Sequence, residues 1–102
     1  MVIFNSSFMI EREREGEFLN WLRGEIAGLK GVAAMRVSAM REAGGVDYRE
    51  AEGQTVAFQV EFERIEEARK WGREVFATLA SRFEERFGPQ ALVFTSIFEE
   101  VG

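Results

Sequence analysis

Two residue types that carry much of protein chemistry are missing from this sequence, which has no cysteine and no histidine. Without cysteine there are no disulfides, thiolate nucleophiles, iron–sulfur clusters or cysteine-based zinc sites. Without histidine there is no imidazole to act as a general base near neutral pH, to activate a serine, or to ligate haem iron or a transition metal. The sequence therefore predicts no metal site and no cofactor, and it favours a binding function over an enzymatic one.

Positive charge is also scarce, because 13 lysine and arginine residues stand against 18 aspartate and glutamate residues and leave a net charge of −5. Nucleic-acid binding needs a basic surface that neutralises phosphates, so nucleic acid is not an expected partner. No apolar run is long enough to span a bilayer, and the first residues lack the basic start and apolar core of a signal peptide. We expect a cytoplasmic protein that does not bind membranes.

The chain does have the composition of a folded domain: 102 residues, 46% of them hydrophobic and 30% charged, with ten phenylalanines and two tryptophans. A chain of this length buries about two-thirds of its unfolded surface around one core, and we expect a single domain over residues 1–102. So much aromatic area in a short chain predicts that part of it is buried between subunits.

The hydrophobic periodicity predicts six elements in the order β, α, β, β, α, β. Alternating apolar residues indicate strands over residues 2–10, 32–40, 56–62 and 91–98. Apolar residues at steps of three and four indicate one helix between the charged run 11–15 and Leu29, and a second over residues 65–86. Gly28 or Gly31 is expected to end the first helix, and Gly88 the second, in the left-handed conformation. The polar, glycine-rich stretch 41–53 predicts a loop without regular structure.

This order of elements predicts an α+β, ferredoxin-like βαββαβ fold, in which an antiparallel four-stranded sheet carries both helices on one face. The other face then meets water or a partner. The first and last strands are apolar on both sides, so neither presents a polar outer face, and such a face is a candidate interface. Two sheets packed in this way would close a dimeric α/β barrel, and we expect a homodimer through the outer sheet face.

Four short segments are together similar to one family: Val-Ile-Phe-Asn at 2–5, Phe-Leu-Asn-Trp-Leu at 18–22, Glu-Arg-Phe-Gly at 85–88 and Leu-Val-Phe-Thr at 92–95. In order and spacing they resemble an uncharacterised bacterial domain-of-unknown-function family, number 4286. The resemblance covers nearly the whole chain except residues 41–53. It implies a dimeric ferredoxin-like α/β barrel and brings no established activity. Members often carry histidines in the first helix and before the Arg-Phe-Gly turn, and this chain has none.

Four residues are candidate contacts for a small, apolar, planar ligand: Asn5, Trp21, Phe58 and Trp71. Asn5 interrupts an apolar row. It is expected either to contact a ligand, as such an asparagine does in haem-degrading members of the wider fold group, or to hydrogen-bond a neighbouring element or lie in the interface. The two tryptophans would stack on a ligand or, as is commoner at helical spacing, fill a core or interface. Asn5 with Trp71 matches part of a haem-degrading site whose axial histidine is missing here.

Three functions stay open at this point. The first is a homodimeric α/β barrel that binds a small apolar planar ligand without catalysis. The second is a cofactor-independent monooxygenase or isomerase that uses Asn5 in an aromatic cleft and works through orientation of its substrate. The third is a module that presents its acidic helices to another protein. An open cleft with Asn5 pointing into it favours the enzyme, and a filled cleft favours the other two.

Overall fold

The computed structural model describes residues 1–29 and 34–102, and its central feature is a four-stranded antiparallel sheet with helices packed on one face. The strands of this sheet are β1 (Val2–Glu11), β2 (Met35–Ala39), β5 (Gly53–Phe62) and β6 (Leu92–Glu99). Two further strands, β3 (Glu42–Ala43) and β4 (Val46–Asp47), pair with each other. The helices are α1 (Glu15–Ala27), α2 (Ile65–Trp71) and α3 (Ala77–Phe87). A 3-10 turn at Arg12–Arg14 leads into α1, and a π-helical segment at Gly72–Phe76 joins α2 to α3. The predicted mixed α+β architecture is confirmed.

The strand order is β2-β5-β1-β6, so the long strand β1 lies between β5 and β6. Ser6 stands opposite Phe58 on β5 and Thr95 on β6, which sets the register of both pairs. Because side chains alternate along a strand and pair across strands on the same side, this register divides the sheet into an inner face toward the helices and an outer face away from them. Strands β2 and β6 form the two edges.

The inner face packs against the helices through an aromatic core. Phe8 on β1 lies 4.8 Å from Phe83 of α3 between ring centroids and 5.1 Å from Phe18 of α1. Ser6 lies between Phe4 and Phe8 on the inner side of β1 and is small enough to leave room for these rings. Its hydroxyl donates to the Phe58 carbonyl at 3.0 Å. Burying each such ring contributes about 1.5–3 kcal/mol, so this core is the main source of stability.

Helices α1 and α3 end at the predicted glycines, Gly28 and Gly88, but not in the predicted conformation. Gly28 has φ −89°, and Gly88 has φ −66°, so neither adopts the left-handed conformation. Gly31 and the expected strand residues Val32 and Ala33 lie outside the described residues. Glycine is required at position 88 for another reason, because a Cβ there would stand 2.6 Å from the Glu84 carbonyl oxygen.

The segment 41–53 is not structureless, and that prediction is wrong. Strands β3 and β4 form a small hairpin whose turn, Gly44-Gly45, takes φ +58° and +80°. Two successive left-handed residues suit a tight hairpin turn, and glycine allows them without strain. The hairpin's base is held by the buried Gln54, whose Nε2 donates to the carbonyls of Tyr48 at 2.7 Å and Ala51 at 2.9 Å.

Within residues 1–29 and 34–102, no helix is long and apolar enough to cross a membrane.

Candidate functional site

Phe58 and Trp71, two of the four predicted ligand contacts, lie together in the core. Phe58 is fully buried on the inner face, and Trp71 at the end of α2 is 7% exposed. Their ring centroids are 6.3 Å apart, and Trp71 also packs edge-on against Phe4 at 5.1 Å and beside Phe62 at 5.8 Å. The space in which a planar ligand was expected is therefore occupied by the protein's own rings.

Trp21 belongs to a different part of the core. It lies on α1, half-buried, and its ring packs against Phe87 at 5.5 Å and Phe83 at 6.0 Å. The guanidinium of Arg14 covers the Phe87 ring at 4.6 Å and extends this group to the surface. This grouping joins α1 to the end of α3, apart from the ring cluster around Trp71.

Asn5 points away from all three aromatic candidates, because it lies on the outer face of β1. Its Nδ2 donates to the Ser7 hydroxyl at 3.2 Å, and its Oδ1 accepts from Gln59 Nε2 at 3.1 Å. Asn5 is 9% exposed although no helix covers it, because its neighbours on the sheet enclose it. The combination of Asn5 with Trp71 is thus not assembled within one subunit. The ligand-binding roles of the four residues stay predictions.

The indole nitrogen of Trp71 is an unusual feature of the core. Nε1 is buried and has no hydrogen-bond acceptor in the described part of the chain. A buried donor without a partner costs about 1–3 kcal/mol, so such groups are uncommon. It sits directly before the π-helical segment Gly72–Phe76, and π-helical turns are frequent at functional sites.

The outer face of the sheet exposes large apolar side chains. On the edge strand β6, Leu92 is 52%, Phe94 56% and Phe98 55% exposed. They continue onto β1, where Met9 stands opposite Leu92 and Ile3 opposite Phe98. Contiguous exposed apolar area of this kind marks interaction surfaces.

A row of polar side chains crosses this apolar surface. Direct cross-strand neighbours place four residues in one line from edge to edge: Arg36 on β2, Gln59 on β5, Asn5 on β1 and Ser96 on β6. We call this line the polar row. Sequence reasoning noted Asn5 and missed the other three, because which residues share a line depends on strand register, which alternation within one strand does not reveal.

Charge on the outer face is balanced. Four cross-strand lines of outer side chains follow one another from the line through Ile3 to the line through Met9, and the described charged residues on these lines are Arg36 and Glu61. Their charges sum to zero, in a chain of net charge −5. Among the described residues, no group of three or more aspartate or glutamate side chains is placed to hold a metal ion.

The ion pairs among the described residues lie on the helices, on the 3-10 turn before α1 and in the segment 41–53. The pKa of Glu17 lies below its ordinary value because Arg14 donates to both of its carboxylate oxygens at 3.1 Å, with Arg86 adding a weaker attraction at 3.5 Å. The pKa of Asp47 is lowered likewise by the side chain and the backbone amide of Arg49. These pairs stabilise local structure and leave the outer face uncovered.

Two solved structures share this fold at low sequence identity. An ethyl tert-butyl ether d (EthD) family protein from Bacillus halodurans superimposes with a TM-score of 0.65 at 12% identity, over 99% of this chain and 100% of that one. HapK from Hahella chejuensis superimposes with a TM-score of 0.58 at 18% identity, over 100% of this chain and 94% of that one. At these identities the likeness concerns the fold alone.

Comparison by sequence gives one family and no individual relative. A family model described as a domain of unknown function (DUF4286) matches residues 1–101. A search of curated proteins finds no match.

Proposed function

This chain belongs to the DUF4286 family of domains of unknown function, and we propose that it functions as a homodimer in which two copies pack their outer sheet faces together as an α/β barrel. The observation that carries the proposal is the exposure of Leu92, Phe94 and Phe98, each more than half accessible on one continuous face. Three such side chains in water are unfavourable, and a second copy of the same face would cover them.

The shape of the subunit supports a second copy as the occupant. The domain is only 20 Å thick, against 37 Å and 33 Å in the other directions, and its radius of gyration of 13.9 Å exceeds the roughly 13 Å typical of a compact chain of this length. A thin domain with one apolar face has the shape expected of one subunit of a face-to-face dimer. Four strands of 10, 5, 10 and 8 residues, spaced about 4.8 Å apart and rising about 3.3 Å per residue, make the projected face about 500 Å². Side-chain relief brings its accessible area near the roughly 800 Å² per partner of a standard interface.

Electrostatics favour this face for self-association over the helical side. Two copies of net charge −5 repel each other in most orientations. The outer face contributes one arginine and one glutamate between its outermost lines, so two such faces bring together no net charge.

Sedimentation equilibrium at micromolar concentrations tests the proposal, with Phe94→Asp as the decisive variant. The natural chain should sediment as a dimer. Aspartate at position 94 would bury a charge in the interface, so the dissociation constant should rise by about 100-fold or more.

The matched control is Ala77→Asp, which adds the same charge at an exposed position of α3. It should leave the dissociation constant within about threefold, since it lies on the helical layer, where surface substitutions have small effects. A natural chain that stays monomeric at all concentrations would overturn the proposal, and the apolar face would then await a different protein.

Binding of a small planar ligand is a second candidate function, favoured by Nε1 of Trp71, which has no hydrogen-bond acceptor among residues 1–29 and 34–102. A ligand with a carbonyl or ether oxygen would give this donor its missing acceptor, and the surrounding phenylalanine rings would stack on its faces. The half-buried Phe62, 5.8 Å from Trp71, would have to move to admit it. The cofactor-independent oxygenase or isomerase has less support, because Asn5 lies on the opposite face of the sheet from Trp71.

Intrinsic fluorescence tests this second candidate, since the chain has two tryptophans. In a Trp21→Phe variant the signal comes from Trp71 alone, and titration with haem, a flavin or a naphthoquinone should quench it with saturation. The complementary Trp71→Phe variant should bind the same probe more weakly by about tenfold, the equivalent of one hydrogen bond. Linear quenching of equal slope in both variants would contradict the proposal.

A further inference from the structure

In the part of the sheet that the structure describes, the polar row is the one line of the outer face made only of polar residues, and it separates two groups of large apolar side chains. On one side of it lie Ile3 and Phe98, which are cross-strand neighbours. On the other side lie Phe94, Met9 and Leu92. A face that served only to bury apolar area would have no reason to carry polar groups through its middle, because buried polar groups without partners are unfavourable.

The centre of the polar row, Asn5 and Gln59, is held in place by hydrogen bonds. Gln59 donates to Asn5, and Asn5 donates to Ser7 on the next line, at 3.1 Å and 3.2 Å. These bonds leave the Gln59 amide oxygen, the Ser96 hydroxyl and the Arg36 guanidinium able to pair with groups that approach from outside. Asn5 and Gln59 are therefore ordered before any partner arrives, and the row presents donors and acceptors toward that partner.

We infer that the polar row sets the register in which two copies stack, by requiring polar row against polar row across the interface. This inference rests on the proposed dimer. Same-face neighbours along a strand are about 6.6 Å apart, so sliding one sheet by a single step would bring the polar row of one copy against the line of Ile3 and Phe98 or the line of Ser7 and Phe94 of the other. The polar atoms of the row would then face fewer hydrogen-bond partners than in the arrangement of row against row, which penalises the shifted arrangements.

The same physical device operates in coiled coils, where one buried asparagine fixes register at some cost in stability. Specificity comes from the penalty on the wrong arrangements more than from the strength of the right one. An outer face made only of apolar residues would associate in several registers of similar energy, as loosely specified apolar surfaces do.

Because the chain contains no cysteine, a single introduced cysteine can report the register without affecting the interface. Ser81 is exposed on α3, in the helical layer, so a spin label on Ser81→Cys lies away from the outer face. Double electron–electron resonance then measures the distance between the two labels of a dimer. In the labelled parent we expect one narrow distance.

The test variant is Asn5→Val with Gln59→Leu in the labelled parent. It should still associate, with the narrow distance replaced by several distances that reflect register steps of about 6.6 Å. The matched control is Thr55→Val, a polar-to-apolar change on the same face but on the line of Met9 and outside the polar row. It should keep the single distance. Should the double variant fail to fold, as judged by circular dichroism, Gln59→Leu alone removes the Gln59–Asn5 bond and should broaden the distribution.

The outcomes separate this inference from the dimer itself. A parent without any distance between labels is a monomer, and the proposed function fails with the inference. A dimeric parent whose folded double variant keeps the same single narrow distance leaves the dimer standing and overturns the role of the polar row.

Discussion

The inner and outer faces of the sheet are built from alternate residues of the same strands, and they use aromatic side chains in opposite ways. On the inner face Phe8 and Phe58 are completely buried among rings from the helices. On the outer face Phe94 and Phe98 are mostly accessible, with a line of polar groups between them. Alternation shows that a strand has two sides, whereas the placement of the helices decides which side becomes core and which becomes interface.

The strongest way to test this comparison is to remove one ring from the inner face. Phe8→Ala should lower the free energy of unfolding by about 3–5 kcal/mol, because it leaves a cavity among Phe18, Phe76 and Phe83. Urea unfolding in a Phe94→Asp background measures this without a contribution from dimer dissociation. Phe8→Leu is the graded control and should cost less than the alanine variant. A loss below about 1 kcal/mol for Phe8→Ala would contradict the assignment of this face as the core.

The contact between β1 and the π-helical segment should show the next largest effect. A Cβ at Gly72 would stand 2.6 Å from Cε2 of Phe4, and that ring is itself confined by Trp71 and Phe76. Gly72→Ala should therefore destabilise the fold by about 1–3 kcal/mol through overpacking, measured by thermal or urea unfolding.

Gly24→Ala is the matched control, since a Cβ at this position in α1 meets nothing within 4 Å. It should be neutral or stabilise the chain by up to about 1 kcal/mol, the ordinary helix preference of alanine over glycine. Equal effects of the two substitutions would show that the Phe4 ring yields freely and that the inner face is less tightly packed here than its distances indicate.

On the outer face the same kind of truncation should act on association instead of folding. Phe94→Ala should raise the dissociation constant of the dimer by about tenfold or more while changing the unfolding free energy of the monomer by less than about 0.5 kcal/mol. Unfolding curves at several protein concentrations separate the two quantities. If Phe94→Ala destabilised the monomer as much as Phe8→Ala does, the two faces would not differ as proposed.

The smallest effect is expected from the ion pairs of Glu17, with Arg14 directly before α1 and with Arg86 on α3. The pKa of Glu17 is lowered in the folded chain, mainly by its hydrogen bonds from Arg14, so its contribution to stability is present at neutral pH. It is lost as the pH falls through that lowered pKa. The difference in melting temperature between the natural chain and Glu17→Gln should therefore be small and positive at about pH 7, and it should disappear once the pH is well below the lowered pKa of Glu17. A difference that persists in acid would mean that Glu17 acts through packing.

Much of the fold follows from the sequence because it depends on local periodicity. The alternation of Val56, Phe58 and Val60 predicts β5, and the helical spacing of Leu79, Phe83 and Phe87 predicts α3, as the structure has them. The hairpin at Gly44-Gly45 was missed because its strands are two residues long and show no period. The π-helical segment was missed because it keeps the apolar spacing of a continuous helix.

The candidate site was less predictable, because it depends on contacts between distant parts of the chain. The sequence identifies Asn5 as a polar residue in an apolar strand, and a position in an interface is one of the alternatives that it predicts. That Asn5 would lie beside Gln59, 54 residues away, and in line with Arg36 and Ser96 could not be read from any single strand.

The sequence by itself determined the class of fold, the number of principal strands, the acidic charge and the absence of thiol and imidazole chemistry, since these depend on composition and on local spacing. Only the tertiary structure decided that the row of Val93 and Ile97 faces the helices and that the row of Phe94 and Phe98 faces outward. Both rows are apolar, so the hydrophobic effect alone favours burying either one. The choice is made by the register of β6 on β1, which places Ile97 beside Phe4 and Val93 beside Phe8 and so leaves the phenylalanines of β6 on the outer face.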